Sequence, residues 1–337
     1  MVFGRIISNP AGQQPQNTNN SNQNSNPETY GRKYKLGISG YSPVNFPNSS
    51  TEEATKYWQS INAYSQIYGI HTEWQDTKFV ELANAMYQHD LSIVLGYQAS
   101  EEWGSSTDEL IDVVKSLLKA HPEIKYLAIG NEVNLFYEKE PAKFELFVKD
   151  YKEVYKEIKK AYPNVKVYTT FNYESLIGKG SLFGADVSHK SQLALLNQFK
   201  GSIDLIGITT YPYFDYKTPS EIPADYFAAL KDFSDKPIVI TETGWLSRET
   251  YGTKYSAISE MGLAGSQKEQ SEYVEWLNSA AQKNKIEFIN WIYLNDIVAW
   301  EEGTDPEKYV LFDSIGLHTH SGASKMSWEK WKSYFKK

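Results

Sequence analysis

The chain predicts a closed (β/α)8 barrel, and three observations carry the prediction. Short apolar runs alternate with amphipathic stretches eight times between Tyr34 and Lys337. The runs are apolar on both faces, as strands of a parallel sheet covered by helices are. Eight such units in about 300 residues match a barrel of typically about 250 residues plus insertions. The competing architecture, an open doubly wound sheet, would want a Gly-rich phosphate turn after its first strand. Gly37-Ile38-Ser39-Gly40 lacks the third glycine, and the next helix begins much later.

The strands read in order as Lys35 to Ser39, Gly69 to Thr72, Leu91 to Tyr97, Lys125 to Ile129, Val165 to Phe171, Ile203 to Thr209, Pro237 to Glu242 and Glu287 to Tyr293. Between them lie helical faces. Ala54, Tyr57, Trp58, Ile61, Tyr64 and Tyr68 recur near helical period after Ser50-Thr51-Glu52-Glu53, which has capping-box spacing. Phe79, Leu82, Ala83 and Met86 mark a second face. Leu110, Val113, Val114, Leu117 and Leu118 mark a third. Pro141 opens a long helix through Phe144, Phe147, Tyr151, Ile158 and Tyr162, and Pro163 ends it. Shorter helices are expected over Gln192 to Phe199 and Pro223 to Phe233. Ser266-Gln267-Lys268-Glu269 caps a further one, and Trp328 to Phe335 makes the last.

Composition narrows the function. The 41% hydrophobic and 23% charged residues are an ordinary globular balance. A net charge of −8 without a basic cluster argues against nucleic-acid binding. No apolar run approaches a membrane span. No cysteine is present, which excludes thiolate chemistry and disulfides. The six histidines show no metal-ligand spacing, and no Gly-x-Ser-x-Gly elbow occurs, so neither a metal nor a cofactor is expected. A single chain acting alone is expected. With 25 Tyr and 9 Trp, most rings fill the core, and some are left to line a carbohydrate cleft.

Residues 1–33 read as a polar, disordered linker, because Asn9 to Arg32 is rich in Asn, Gln, Ser and Pro with little to bury. Residues 34–337 form the catalytic barrel. A polar tether of this kind points to an exported or surface-attached enzyme whose signal or anchor lies upstream.

Two stretches mirror one another. Leu127-Ala128-Ile129-Gly130-Asn131-Glu132 ends strand four, and Ile238-Val239-Ile240-Thr241-Glu242-Thr243-Gly244-Trp245 ends strand seven. In a (β/α)8 barrel all strand ends meet at one face. Two glutamates there suit a pair of catalytic carboxylates flanking a glycosidic bond. Either motif alone would be an ordinary helix cap or ion-pair partner. Other residues at the same face are candidates for sugar contacts: Glu73 after strand two, which could instead be a catalytic acid itself, Gln98 after strand three, Glu101 and Trp103 beyond it, and Asn172 after strand five. Trp300 and Tyr137 are candidates to extend the cleft, and Asp76 to cap a helix. His71 is either an ordinary buried histidine or an orienter of a carboxylate.

Asn-Glu after strand four with Glu after strand seven resembles the signature of clan A glycoside hydrolases. Gly130-Asn131-Glu132-Val133, Tyr211-Pro212-Tyr213-Phe214 and Glu242-Thr243-Gly244-Trp245 resemble family 17, the β-1,3-glucanase type. The opening strand lacks that family's Gly-Val-x-Tyr-Gly start, and Leu246 stands where a proline often follows Gly-Trp. The resemblance implies that Glu132 is the general acid/base and Glu242 the nucleophile. It implies that Asn131 bonds the sugar 2-hydroxyl and that Trp291 is the aromatic platform, with core packing of Trp291 an equal rival. Tyr211 or Tyr213 would donate to Glu242, and Trp245 would line the cleft. The expected activity is retaining endo-hydrolysis of a β-glucan polysaccharide or oligosaccharide, with β-1,3 or mixed linkage ahead of β-1,4. A cellulase or galactanase of the clan, a transglycosylase and a non-catalytic carbohydrate-binding barrel are the alternatives.

Overall fold

The computed structural model describes residues 32–41, 62–74, 90–96, 107–135, 137, 140–179, 190–249, 265–297 and 312–335. Their strands are β1 (Lys35–Tyr41), β2 (Ile67–Glu73), β3 (Asp90–Gly96), β4 (Ile124–Ile129), β5 (Lys166–Tyr168), β6 (Thr170–Asn172), β7 (Ile206–Thr210), β8 (Ile238–Thr243) and β9 (Ile286–Trp291). Each neighbouring pair runs parallel, in the order β5-β4-β3-β2-β1-β9-β8-β7-β6. The order begins and ends on two halves of one stretch, since only Thr169 separates β5 from β6. Strand β4 pairs with the first half and β7 with the second, so the ring closes through that stretch. The result is the (β/α)8 barrel that the alternation predicts.

The barrel interior is tight where β1, β2 and β9 meet. A Cβ on Gly37 would lie 2.2 Å from Asn290 Oδ1, and one on Gly69 would lie 2.1 Å from Ser39 Oγ. Glycine is required at both positions because the space is already filled by inward-facing polar side chains. Asn290 thus faces the axis, and its neighbour Trp291 must face outward by strand alternation.

The outer helices bury most of the faces expected of them, with Ile111 buried where Val113 is expected and Val113 only half-buried. In α1 (Thr107–Ala120) Leu110, Ile111, Val114, Leu117 and Leu118 are buried, with Asp108 and Glu109 at the positive N-terminal end of the helix dipole. Helix α2 (Pro141–Ala161) starts on proline, where the missing N–H costs nothing, and buries Phe144, Phe147, Tyr151, Val154 and Ile158. A single turn, α3 (Tyr173–Leu176), follows β6. Only α4 (Ala228–Lys231) is α-helical in the stretch expected over Pro223 to Phe233; Tyr226, ahead of it, is drawn to the interior by its hydroxyl. Leu193–Phe199 winds as a 3-10 helix. Helix α5 (Gln267–Lys283) has the expected cap, Ser266 Oγ accepting from Glu269 N at 3.1 Å. Helix α6 (Met326–Ser333) lies against α5.

Arg32 moves the expected linker boundary. It is buried, donates to Gln66 Oε1 at 2.9 Å and to the Tyr334 carbonyl, and lies over the Phe335 ring. It therefore belongs to the barrel, because a guanidinium can bury its stem while its donors meet carbonyls. The rest of the expected linker, residues 1–31, lies outside the described residues, as do most of the two helical faces expected between Ala54 and Met86. Among the described residues, no helix is long and apolar enough to cross a membrane.

Candidate active site

Strand β4 ends in a sharp departure. Gly130 takes φ +82°, and a Cβ there would meet Val133 and Phe147 at 2.7 and 2.8 Å. Glu132 follows at φ +48°, the one non-glycine residue in the left-handed region among those described. Such a conformation costs about 1–3 kcal/mol and persists only where the surroundings enforce it. Thr170, on β6, supplies the enforcement. Its Oγ1 accepts from Glu132 N at 2.9 Å and donates to Asn131 Oδ1 at 2.7 Å. With Oδ1 so engaged, the Asn131 amide nitrogen points across the mouth and donates to Glu242 Oε1 at 3.2 Å. The residue preceding one glutamate therefore touches the other.

Glu242 lies on β8 and is almost fully buried. Its Oε2 accepts from the Tyr211 hydroxyl at 2.8 Å. His71 Nδ1 is 3.1 Å from its Oε1, and His71 Nε2 is 3.1 Å from Ser39 Oγ. Burial drives the His71 pKa down to about 3, against a backbone hydrogen bond at Thr241. The ring is therefore neutral, and its contact with Glu242 is not an ion pair. Hydrogen bonds from Asn131 and Tyr211 favour the ionised form of Glu242.

Glu132 meets a different environment. Desolvation, and secondarily the charge of Glu242, lift its pKa to about 7; hydrogen bonds from Thr209 and Asn172 oppose the rise. Both donors reach the same oxygen, Oε1, with Asn172 Nδ2 at 3.1 Å. One carboxyl thus holds its proton near neutrality beside another whose hydrogen bonds favour charge. This is the division that acid catalysis and nucleophilic attack need.

The other candidates divide in two. Tyr211 reaches the pair. Glu73 ends β2 at the mouth with an exposed side chain, and its carboxylate occupies the space beside Gly96. Asn172 does not wait for a sugar but holds Glu132. Tyr213, Trp245 and Trp291 are buried and lie against other rings. Tyr213 lies tilted against Phe214 with ring centroids 4.5 Å apart, and Trp245 against Tyr273 at 5.1 Å. Trp291 corrects the platform expectation. It is fully buried, its Nε1 donates to the Ile315 carbonyl at 2.7 Å, and its ring lies against Tyr273 of α5 and Trp331 of α6. Asn290 takes the inward place, so Trp291 is core between barrel and helices. Tyr137 packs on Phe144. Gln98, Glu101, Trp103, Trp300 and Asp76 lie outside the described residues. No group of three His, Asp or Glu able to hold a metal ion occurs among the described residues.

Sequence reasoning missed Thr170, Thr209, Asn134 and Glu174. Asn134 clamps Asn172 through both backbone groups, at 2.8 and 3.1 Å. Only its closeness to Asn131-Glu132 could have drawn notice. Glu174 is fully buried two residues beyond Asn172, and Thr209 stands two before Tyr211; neither carries a motif.

No sequence-family profile matches the chain, and no curated protein does. Solved structures do. An exo-β-1,4-mannosidase from Opitutaceae bacterium strain TAV5 superposes with TM-score 0.62 at 13% identity, over 90% of this chain and 59% of that one. A β-D-glucuronidase from Dictyoglomus thermophilum gives 0.61 at 12%, over 90% and 50%. These likenesses establish the fold. A family 17 β-1,3-glucanosyltransferase from Rhizomucor miehei gives 0.56 at 15%, over 86% of this chain and 95% of its own. The chain spans about half the length of the glucuronidase structures it matches.

Proposed function

We propose that the chain is a retaining glycoside hydrolase acting on a β-glucan, with β-1,3 or mixed linkage favoured. The observation that carries the reading is the unequal pair. Glu132 keeps a proton to about pH 7, while the partners of Glu242 are hydrogen-bond donors. In this reading Glu132 protonates the leaving oxygen as the Glu242 carboxylate attacks the anomeric carbon. Glu132, now ionised, then takes a proton from the water that releases the sugar. Asn131 sits between the carboxylates and is placed to bond a ring hydroxyl there as well.

A transglycosylase uses the same intermediate, with a sugar hydroxyl in place of water. The Rhizomucor miehei neighbour, named a glucanosyltransferase and covered over 95% of its length, favours keeping this second reading. The linkage reading rests on the three short motifs. The polar stretch ahead of Arg32 supports action outside the cell or at its surface. The experiment is a panel of soluble β-1,3, mixed-linkage and β-1,4 glucans and β-galactan, with product sizes and anomeric configuration followed by NMR. Shorter products of retained configuration from a β-1,3 or mixed-linkage glucan are expected. Products longer than the substrate would favour transfer, and inverted products or no cleavage of any polymer would reject the reading.

A further inference from the structure

Glu174 carries a fully buried carboxyl that the proposed chemistry does not use. It sits in α3, the turn after β6, and a single oxygen, Oε1, takes three donors. These are Thr210 Oγ1 at 2.6 Å, Tyr226 hydroxyl at 2.7 Å and Tyr211 N at 2.9 Å. Two of the three belong to the end of β7, from which Tyr211 reaches Glu242. The next residue, Pro212, has no N–H to offer, so the bond at Tyr211 N is the last hold on the backbone before the chain turns into Pro212–Phe214. Tyr226 is gripped twice, since its carbonyl also accepts from the Tyr173 hydroxyl. The same turn also reaches Glu132: Asn172, its cap, accepts from Ser175 N at 3.0 Å and donates to Glu132 Oε1.

We infer that Glu174 is a positioning residue that sets the Tyr211 hydroxyl on Glu242 by anchoring the Tyr211 backbone. The inference rests on the glycosidase reading of Glu132 and Glu242. A buried carboxyl whose role was only to fill the core would be a costly choice, because burial pushes its pKa up to about 7 against the hydrogen bonds of Thr210 and Tyr226. Convergence of three donors on one oxygen needs a strong acceptor, and a carboxyl provides it. Asp215 acts on Glu174 electrostatically, raising its pKa; Tyr173, Tyr213 and Tyr226 around it are phenols that burial keeps neutral.

The test is carboxyl carbon-13 NMR titration of Glu242, alongside the acid limb of kcat/KM, in the full chain. Tyr211→Phe removes the hydrogen bond to Glu242 directly and should raise both midpoints by about one pH unit. Glu174→Ala should raise them in the same direction, and Glu174→Gln, which keeps an oxygen for the three donors, should recover most of that shift. The double variant Glu174→Ala/Tyr211→Phe should go no further than Tyr211→Phe alone, because both act through one hydrogen bond. Should Glu174→Ala fail to fold, Thr210→Val/Tyr226→Phe removes two of the three donors and should move the Glu242 midpoint upward by less. An unmoved Glu242 midpoint in the folded Glu174 or donor variants, with Tyr211→Phe shifted, overturns the inference. A wild-type chain that cleaves nothing, yet shows the linked NMR shifts, overturns the glycosidase reading and supports the anchoring role.

Discussion

The ends of β4 and β8 look alike in sequence and behave differently in space. Each is an apolar strand running into a glutamate. At β4 the chain leaves the sheet before the glutamate, through Gly130 and a left-handed Glu132. At β8 the glutamate is still inside the strand, within Ile238–Thr243. Glu132 is therefore carried into a partly desolvated niche beside another charge, where its proton is retained. Glu242 stays on the barrel wall, where Asn131 and Tyr211 can donate to it. In the proposed reading, two copies of one motif become an acid and a nucleophile because one is displaced from its strand and the other is not.

That contrast can be broken most directly at Glu242. Glu242→Gly should cut turnover on the order of 10⁴-fold or more, and formate or azide should restore part of it with inverted product. Rescue of Glu132→Gly in its place, with Glu242→Gly left dead, would exchange the two roles. Glu132→Gln should cost about 10²–10⁴-fold on substrates that need protonation, and much less on aryl glycosides with activated leaving groups. The same variant should also flatten the stability profile. The folded Glu132 value of about 7 lies above its ordinary 4.5. Across that window the folded chain retains a proton the unfolded chain has shed, so stability falls as pH rises through it. Melting temperatures of wild type and Glu132→Gln at pH 5 and pH 8 check this; an equal wild-type advantage at both would count against the raised value.

The tryptophan that ends β9, beside β8, sharpens the contrast further. Trp291→Ala, in the neighbouring strand, should cost about 3–5 kcal/mol of stability and leave kcat of the folded fraction near wild type. A reduced kcat with unchanged melting temperature would return Trp291 to the sugar. The smallest effect should come from Thr209→Val. Thr209 donates to Glu132 and holds its pKa down. Its loss should move the alkaline limb of kcat/KM upward by no more than about one pH unit. A downward shift would mean that the hydroxyl serves the protonated form.

The alternation of eight units, the caps at Pro141 and Ser266 and the two strand-end glutamates were legible along the chain, because they depend on local periodicity and on residues close in sequence. Those same signals place both glutamates at one face of a parallel barrel. They could not tell which side of β9 faces the axis. That strand is buried on both sides from Phe288 to Trp291, so the polar-apolar alternation that would have marked the inward face is missing. Barrel closure decided it, by putting Asn290 against Gly37 and Gly69 and Trp291 under α5 and α6. It also decided the partners of the two carboxyls. Thr170, Thr209 and Glu174 are 38, 77 and 37 positions from the residues they hold, Glu132, Glu132 and Tyr211, and only the closed ring brings them within hydrogen-bond distance.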